Sequence, residues 1–223
     1  MSIVMVVAPH PDDETLGCGG SLLRHIAEGD EVHWLIVTDM SIDDGFDIDL
    51  VARRQQQIEI VADMYGFKQV HNLKQTPANL DRVAKQTLIT QIGKVIRDVA
   101  PQTLYLPFRG DVHSDHALVF DAVTACTKWF RYSSIQRVLC YETLSETDFS
   151  LDPGIIKFNP NIFINITNYL NKKVEIANIY QEEMDALPFP RSDDALKALA
   201  VIRGVASGCF AAESFMLLKE IKV

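Results

Sequence analysis

Apolar positions along the chain switch repeatedly between two periods. Residues 2–8 (SIVMVVA), 31–38 (EVHWLIVT), 103–107 (TLYLP) and 135–142 (IQRVLCYE) are short runs rich in β-branched or aromatic side chains, and each predicts a buried strand. Residues 70–73 and 161–166 (NIFINI) predict two shorter ones. Between them the spacing becomes helical. Residues 15–28 align Leu16, Leu22, Leu23 and Ile26 and stop at Gly29; residues 50–65 stop at Gly66; residues 80–99 stop before Pro101. Residues 115–129, 170–186 and 193–207 also read as helices, and 215–223 as a closing strand or helix end. This alternation predicts an α/β fold, a mostly parallel sheet with helices on both faces. No repeat, low-complexity tract or linker interrupts it, so residues 1–223 read as one domain. The irregular stretches are 39–49, 74–79, 107–114 and 143–160. Several follow strands, where an open α/β sheet binds its ligands.

Charge narrows the partners. With 21 Lys+Arg against 30 Asp+Glu the formal net charge is −9, which argues against nucleic acid or an anionic membrane as the main partner. Four cysteines without a CxxC pair predict ordinary buried thiols of an intracellular protein. The N-terminus lacks the basic region of a signal peptide, and no apolar run is long enough to cross a bilayer, so a cytoplasmic location is expected.

Two clusters carry the chemistry. The first strand ends in His10-Pro11-Asp12-Asp13-Glu14, an imidazole and three carboxylates on one strand tip. Asp12, Asp13 and Glu14 also suit the positive end of the following helix, so this cluster alone leaves a metal site and a helix start both open. The second cluster, Asp111-Val112-His113-Ser114-Asp115-His116, follows another strand of the same expected sheet. His113 and His116 are three apart and can face one cavity. His10, Asp13 and His116 would supply two imidazoles and a carboxylate, the donor count of a catalytic zinc site. Asp12 and His113 then remain for proton work: Asp12 as base toward a water, and His113, if protonated, as stabiliser of an oxyanion or acid for a leaving amine. Asp115 is expected to hydrogen-bond His113 and hold its charged form. Amide hydrolysis is the reaction class that fits.

The same residues carry a resemblance. APHPDDE resembles the AHPDDE signature of the PIG-L/LmbE-like family of zinc-dependent N-deacetylases, and DVHSDH resembles that family's Asp-x-His-x-Asp-His pattern. GCGGSLLRHIAEGDEVHWLIVTD, the Arg54…Gly66 segment, NPNIFINITNYLNKKVEIANIY and IRGVASGCFAAESF extend the likeness over nearly the whole chain. The resemblance implies a Rossmann-like fold, one catalytic Zn²⁺ on His10, Asp13 and His116, Asp12 as general base, His113 with Asp115 as the second catalytic group, and Arg54 as a substrate contact. It implies removal of acetyl from an N-acetylglucosamine-type sugar or its conjugate, and a homo-oligomer. Gln57 departs from the Glu that many relatives carry there, and Val112 with Asp111 replaces a Gly and Tyr of some larger ones. A His₂Asp site also accepts Fe²⁺, Co²⁺ or Mn²⁺.

Other features receive plainer readings. Gly17-Cys18-Gly19-Gly20 lacks dinucleotide-loop spacing and reads as close helix–sheet packing. Asp39 reads as a substrate contact or a turn-initiating residue, Arg109 as a contact to an anionic substrate group or a solvated loop charge, and Thr38 as a sugar-hydroxyl contact; Phe46, Trp129 and Phe189 are candidates for a stacking wall, with core packing the default for Trp129, and Glu182 and Glu183 read as a solvated helix face. Three rival functions stand beside the deacetylase: an amidase on a non-sugar or thiol-conjugate amide, a silent metal-binding member, and an oxidoreductase by fold analogy alone.

Overall fold

A computed structural model describes residues 1–151, 154 and 157–222. Residues 152, 153, 155 and 156, within the predicted loop 143–160, and Val223, at the end of the predicted closing segment, lie outside the described residues.

Among the described residues seven strands form one sheet: β1 (Ile3–Ala8), β2 (Glu31–Thr38), β3 (Gln69–Gln75), β4 (Thr103–Pro107), β5 (Arg137–Tyr141), β6 (Ile162–Asn165) and β7 (Ala212–Glu220), in the order β3-β2-β1-β4-β5-β7-β6. All neighbouring pairs are parallel except those of β7, which runs antiparallel to both β5 and β6. The helices are α1 (Asp13–Ala27), α2 (Ile48–Tyr65), α3 (Lys85–Val99), α4 (Ser114–Ala125), α5 (Leu170–Ala177) and α6 (Asp193–Ser207).

Strand alternation divides the core. Val4, Val6, Trp34, Ile36 and Tyr105 pack on one face with Leu22 of α1, Ile58 and Val61 of α2 and Ile176 of α5. Met5, Val7, Leu35, Val37 and Leu106 pack on the other with Leu88 and Ile92 of α3 and Val119 and Val123 of α4. Both faces are covered, which is why these strands read as unbroken apolar runs. α6 closes a third cluster with α5 and Ile166.

Several boundaries differ from expectation. The predicted helix over 80–99 is a short 3₁₀ turn, Leu80–Arg82, followed by α3. The one over 170–186 stops at Ala177, and residues 178–192 form turns that reach the sheet's carboxyl edge. The closing segment is β7, inserted between β5 and β6, a placement set by long-range pairing. Among the described residues no helix is long and apolar enough to cross a membrane.

Candidate metal centre and active site

Strand order reverses between β1 and β4: the chain moves outward from β1 to β3, then returns to β4 on the other side of β1. A crevice opens at such a switch point, beyond the strands' carboxyl ends. The two His/Asp clusters are the segments that follow β1 and β4, so both arrive there.

His10, Asp13 and His116 each offer one donor atom, and these lie within 4.8 Å of one another. Oδ2 of Asp13 is 3.3 Å from His10 Nδ1 and 3.4 Å from His116 Nε2. A tetrahedral ion with bonds of about 2.0–2.1 Å needs donors about 3.3–3.4 Å apart; both separations from Asp13 match this, and imidazole and carboxylate are ligand types that zinc takes. The other nitrogen of each imidazole is occupied by a carboxylate. His116 Nδ1 meets Asp111 Oδ2 at 2.7 Å, and His10 Nε2 meets Asp115 Oδ2 at 3.1 Å. Such partners fix the ring orientation and tautomer of a metal-binding histidine. Asp111 is in turn held by the Thr147 hydroxyl at 2.6 Å.

The electrostatics of the donor set suit a cation. Burial disfavours charge on His10, but its bonds to Asp115 and Asp13 outweigh this and raise its pKa to about 9. Burial acts likewise on His116, and the Asp13 charge and Asp111 raise it to about 10. Asp13 is buried, yet the adjacent His116 and His10 hold its carboxyl well below the usual range. Two imidazolium protons thus stand where a dication would serve. Asp12 differs: burial first, then the Asp13 charge, push it up to about 7 against the pull of Arg191. Glu14 faces away, taking the hydroxyls of Thr15 and Tyr180 at 2.6 and 2.9 Å, and burial pushes it up to about 8.

Asp115 departs from its expected bond. Its carboxylate serves His10 and the backbone N–H groups of Ala78 and Leu80. His113 is the N-cap of α4, and its Nδ1 accepts from the Asp115 N–H at 3.2 Å. That acceptor role puts the proton of the neutral ring on Nε2. Burial and the neighbouring His10 lower His113 to about 4, a direction that favours the neutral ring over the charged form that a bond to Asp115 would have held.

Beside the donors lies a cavity of about 200 Å³, lined by His10, Asp12, Asp39, Arg54, His113, Glu146, Glu183 and Arg191 among others. Among the described residues no Trp, Tyr or Phe lines it. Trp129 is 67% exposed beyond the far end of α4, and Phe46 and Phe189 do not line the cavity. Asp39 reaches it, held by Asn72 Nδ2. Thr38 reaches it too, but its hydroxyl donates to the Pro9 carbonyl. Arg54 is buried, bonded to the Pro11 carbonyl at 2.9 Å and to Glu183 at 2.7 Å. Arg109 is not brought in; it is exposed and pairs with Asp121 of α4 at 2.8 Å. Glu183 is no solvated helix face, since it joins Arg54 and Arg191 at the cavity. Glu146 and Arg191 escaped sequence reasoning because no local motif marks them. A larger cavity of about 380 Å³, lined by Phe108, Glu142 and Arg203, holds none of the donors.

Fold and site together define the class: an α/β protein with a His₂Asp donor set at its switch point. The chain belongs to the PIG-L family, described as GlcNAc-PI de-N-acetylase, which matches residues 5–127. It is 25% identical over 236 residues to the diacetylchitobiose deacetylase of Thermococcus kodakarensis, covering 98% of this chain and 84% of that one. Among solved structures it resembles the conserved protein TT1542 of Thermus thermophilus, with a TM-score of 0.79, 23% identity, and coverage of 100% and 97%. It also resembles GalB, the 4-carboxy-2-hydroxymuconate hydratase of Pseudomonas putida, with a TM-score of 0.75, 16% identity, and coverage of 100% and 98%. The hydratase shows that this fold alone does not settle the reaction.

Proposed function

We propose that the chain is a zinc-dependent deacetylase that removes the N-acetyl group of an N-acetylated amino sugar or its conjugate. One observation carries the reading: a His₂Asp donor set, its donor atoms within 4.8 Å of one another, stands beside Asp12 at a small cavity that Asp12, His113 and Arg191 help to line. Family membership and the likeness to a diacetylchitobiose deacetylase support the substrate class.

His10, Asp13 and His116 would hold the ion. A zinc ion bound there would supply Lewis acidity toward water and carbonyl oxygen. Asp12 Oδ2 is engaged by Arg191, and among the described residues Oδ1 takes no hydrogen bond. Oδ1 is therefore the atom to accept a proton from the attacking water and to pass it to the departing amine. His113, neutral with its proton on Nε2, donates a hydrogen bond to the oxygen that gains charge as the amide carbon becomes tetrahedral. Water adds to the carbonyl carbon, the C–N bond breaks, and acetate and the free amine result. Asp39, Glu183 and Arg54 line the remainder with hydrogen-bonding groups suited to hydroxyls.

The test is acetate release from N,N′-diacetylchitobiose and N-acetylglucosamine conjugates by zinc-loaded protein. Asp12→Asn is expected to keep one ion per chain and to lose turnover by about 10²–10⁴-fold, because an amide cannot take the proton. A fully active Asp12→Asn enzyme would overturn the mechanism. Absence of release across the panel would overturn the substrate class.

A further inference from the structure

Arg191 lies 179 residues from Asp12 in sequence, just before the N-cap Ser192 of α6. Its side chain is only 14% exposed, and its guanidinium is engaged along three edges. Nη1 donates to Asp12 Oδ2 at 2.8 Å and lies 3.5 Å from Glu183. Nη2 donates to Glu146 Oε1 at 3.0 Å, and Nε donates to the Ser145 hydroxyl at 2.8 Å. Glu146 continues the connection, since its Oε2 accepts the backbone N–H of His113 at 3.1 Å and its carbonyl accepts that of Val112. One planar fork therefore joins the turn after β1, the turn after β5 and, through Glu146, the loop after β4.

The segments it joins are not at rest by themselves. Asp12 has φ 152° and Ser145 has φ 70°, both in the region that disfavours side chains. Backbone strain of this kind persists only where surrounding contacts over-determine it. Lysine could place one charge near Asp12, but a point ammonium cannot reproduce a rigid three-edged fork.

We propose that Arg191 is a positioning residue of the deacetylation reaction. It pins Oδ2 of Asp12 so that Oδ1 faces the water, and through Glu146 it sets the spacing between Asp12 and His113. The proposal rests on the deacetylase reading, and its test separates the two. Arg191→Ala is expected to keep its metal and to lose about 10²-fold in kcat on N,N′-diacetylchitobiose, with KM changed by less than about threefold. Added guanidinium ion is expected to restore part of that kcat, and Arg191→Lys to remain as impaired as the alanine variant. Unchanged kcat, or a loss that appears wholly in KM, would overturn the proposal. Glu146→Gln carries the same kinetic test should Arg191→Ala fail to fold. If the wild-type protein releases no acetate, the deacetylase reading fails. Crystal structures of wild type and Arg191→Lys then decide the positioning role: a displaced Asp12 carboxylate supports it, and a superposable one overturns it.

Discussion

Asp13 shows how a single side chain organises the centre. It is 1% exposed and carries its charge between His10 and His116. Its ionised form persists in the interior because the two imidazoles neutralise it; their pKa values rise to about 9, through Asp115 and Asp13, and to about 10, through Asp13 and Asp111. A metal needs both rings neutral, so binding displaces those protons. The sign follows directly. Below about pH 9 the protons compete with the ion, and competition eases as pH rises. Zinc affinity is expected to strengthen from about pH 6 to about pH 8, with protons released on binding in weakly buffered titrations. A pH-independent affinity would contradict this charge arrangement.

At the scale of elements, α1 has to come unusually close to the sheet to deliver Asp12 and Asp13. A Cβ on Gly17 would lie 2.3 Å from the Tyr141 ring, whose hydroxyl donates to the Val7 carbonyl at 2.9 Å. Tyr141 is fully buried on β5, so the ring has no free direction in which to yield. Gly17→Ala is expected to destabilise the fold by about 1–3 kcal/mol. Each kcal/mol lowers Tm by about 2–4 °C in a chain of this size. Calorimetry checks this, and an unchanged Tm would mean that the helix is free to shift. The Gly-Cys-Gly-Gly run thus serves packing, and burial pushes the Cys18 thiol well up, away from nucleophilic use.

Over the whole molecule, the kink in α1 is repaired by residues distant in sequence. Cys18 has φ −142°, which breaks the helical ladder. The freed N–H groups of Gly20 and Ser21 donate to Glu213 of β7 at 2.8 and 2.7 Å, and the Leu16 carbonyl accepts from Lys173 of α5 at 2.9 Å. Lys173 and Glu213 close the arrangement with a buried ion pair at 2.7 Å. Removing Glu213 leaves the buried Lys173 without a counter-charge, so Glu213→Ala is expected to cost about 3–5 kcal/mol in denaturant unfolding. Adding Lys173→Met to it should recover only part, because two buried N–H groups stay unpaired. Full recovery would show that the backbone bonds contribute nothing.

By itself the sequence determined the local terms. Uninterrupted apolar strands called for a sheet covered on both faces. His10, Asp12 and Asp13 share one turn, and His113 and His116 one helix start, because these distances along the chain are short and backbone geometry sets them. The tertiary structure decided what depends on long-range pairing. It turned β7 antiparallel between β5 and β6 and brought the β1 and β4 tips to one crevice. It aimed Asp115 at His10 instead of His113, left Arg109 on the surface, and carried Arg191, Glu146 and Glu183 to Asp12. No periodicity or spacing encodes those last contacts. They arise where strands and helices far apart in the chain end at the same edge of one sheet, and where buried charges need partners that only folding can supply.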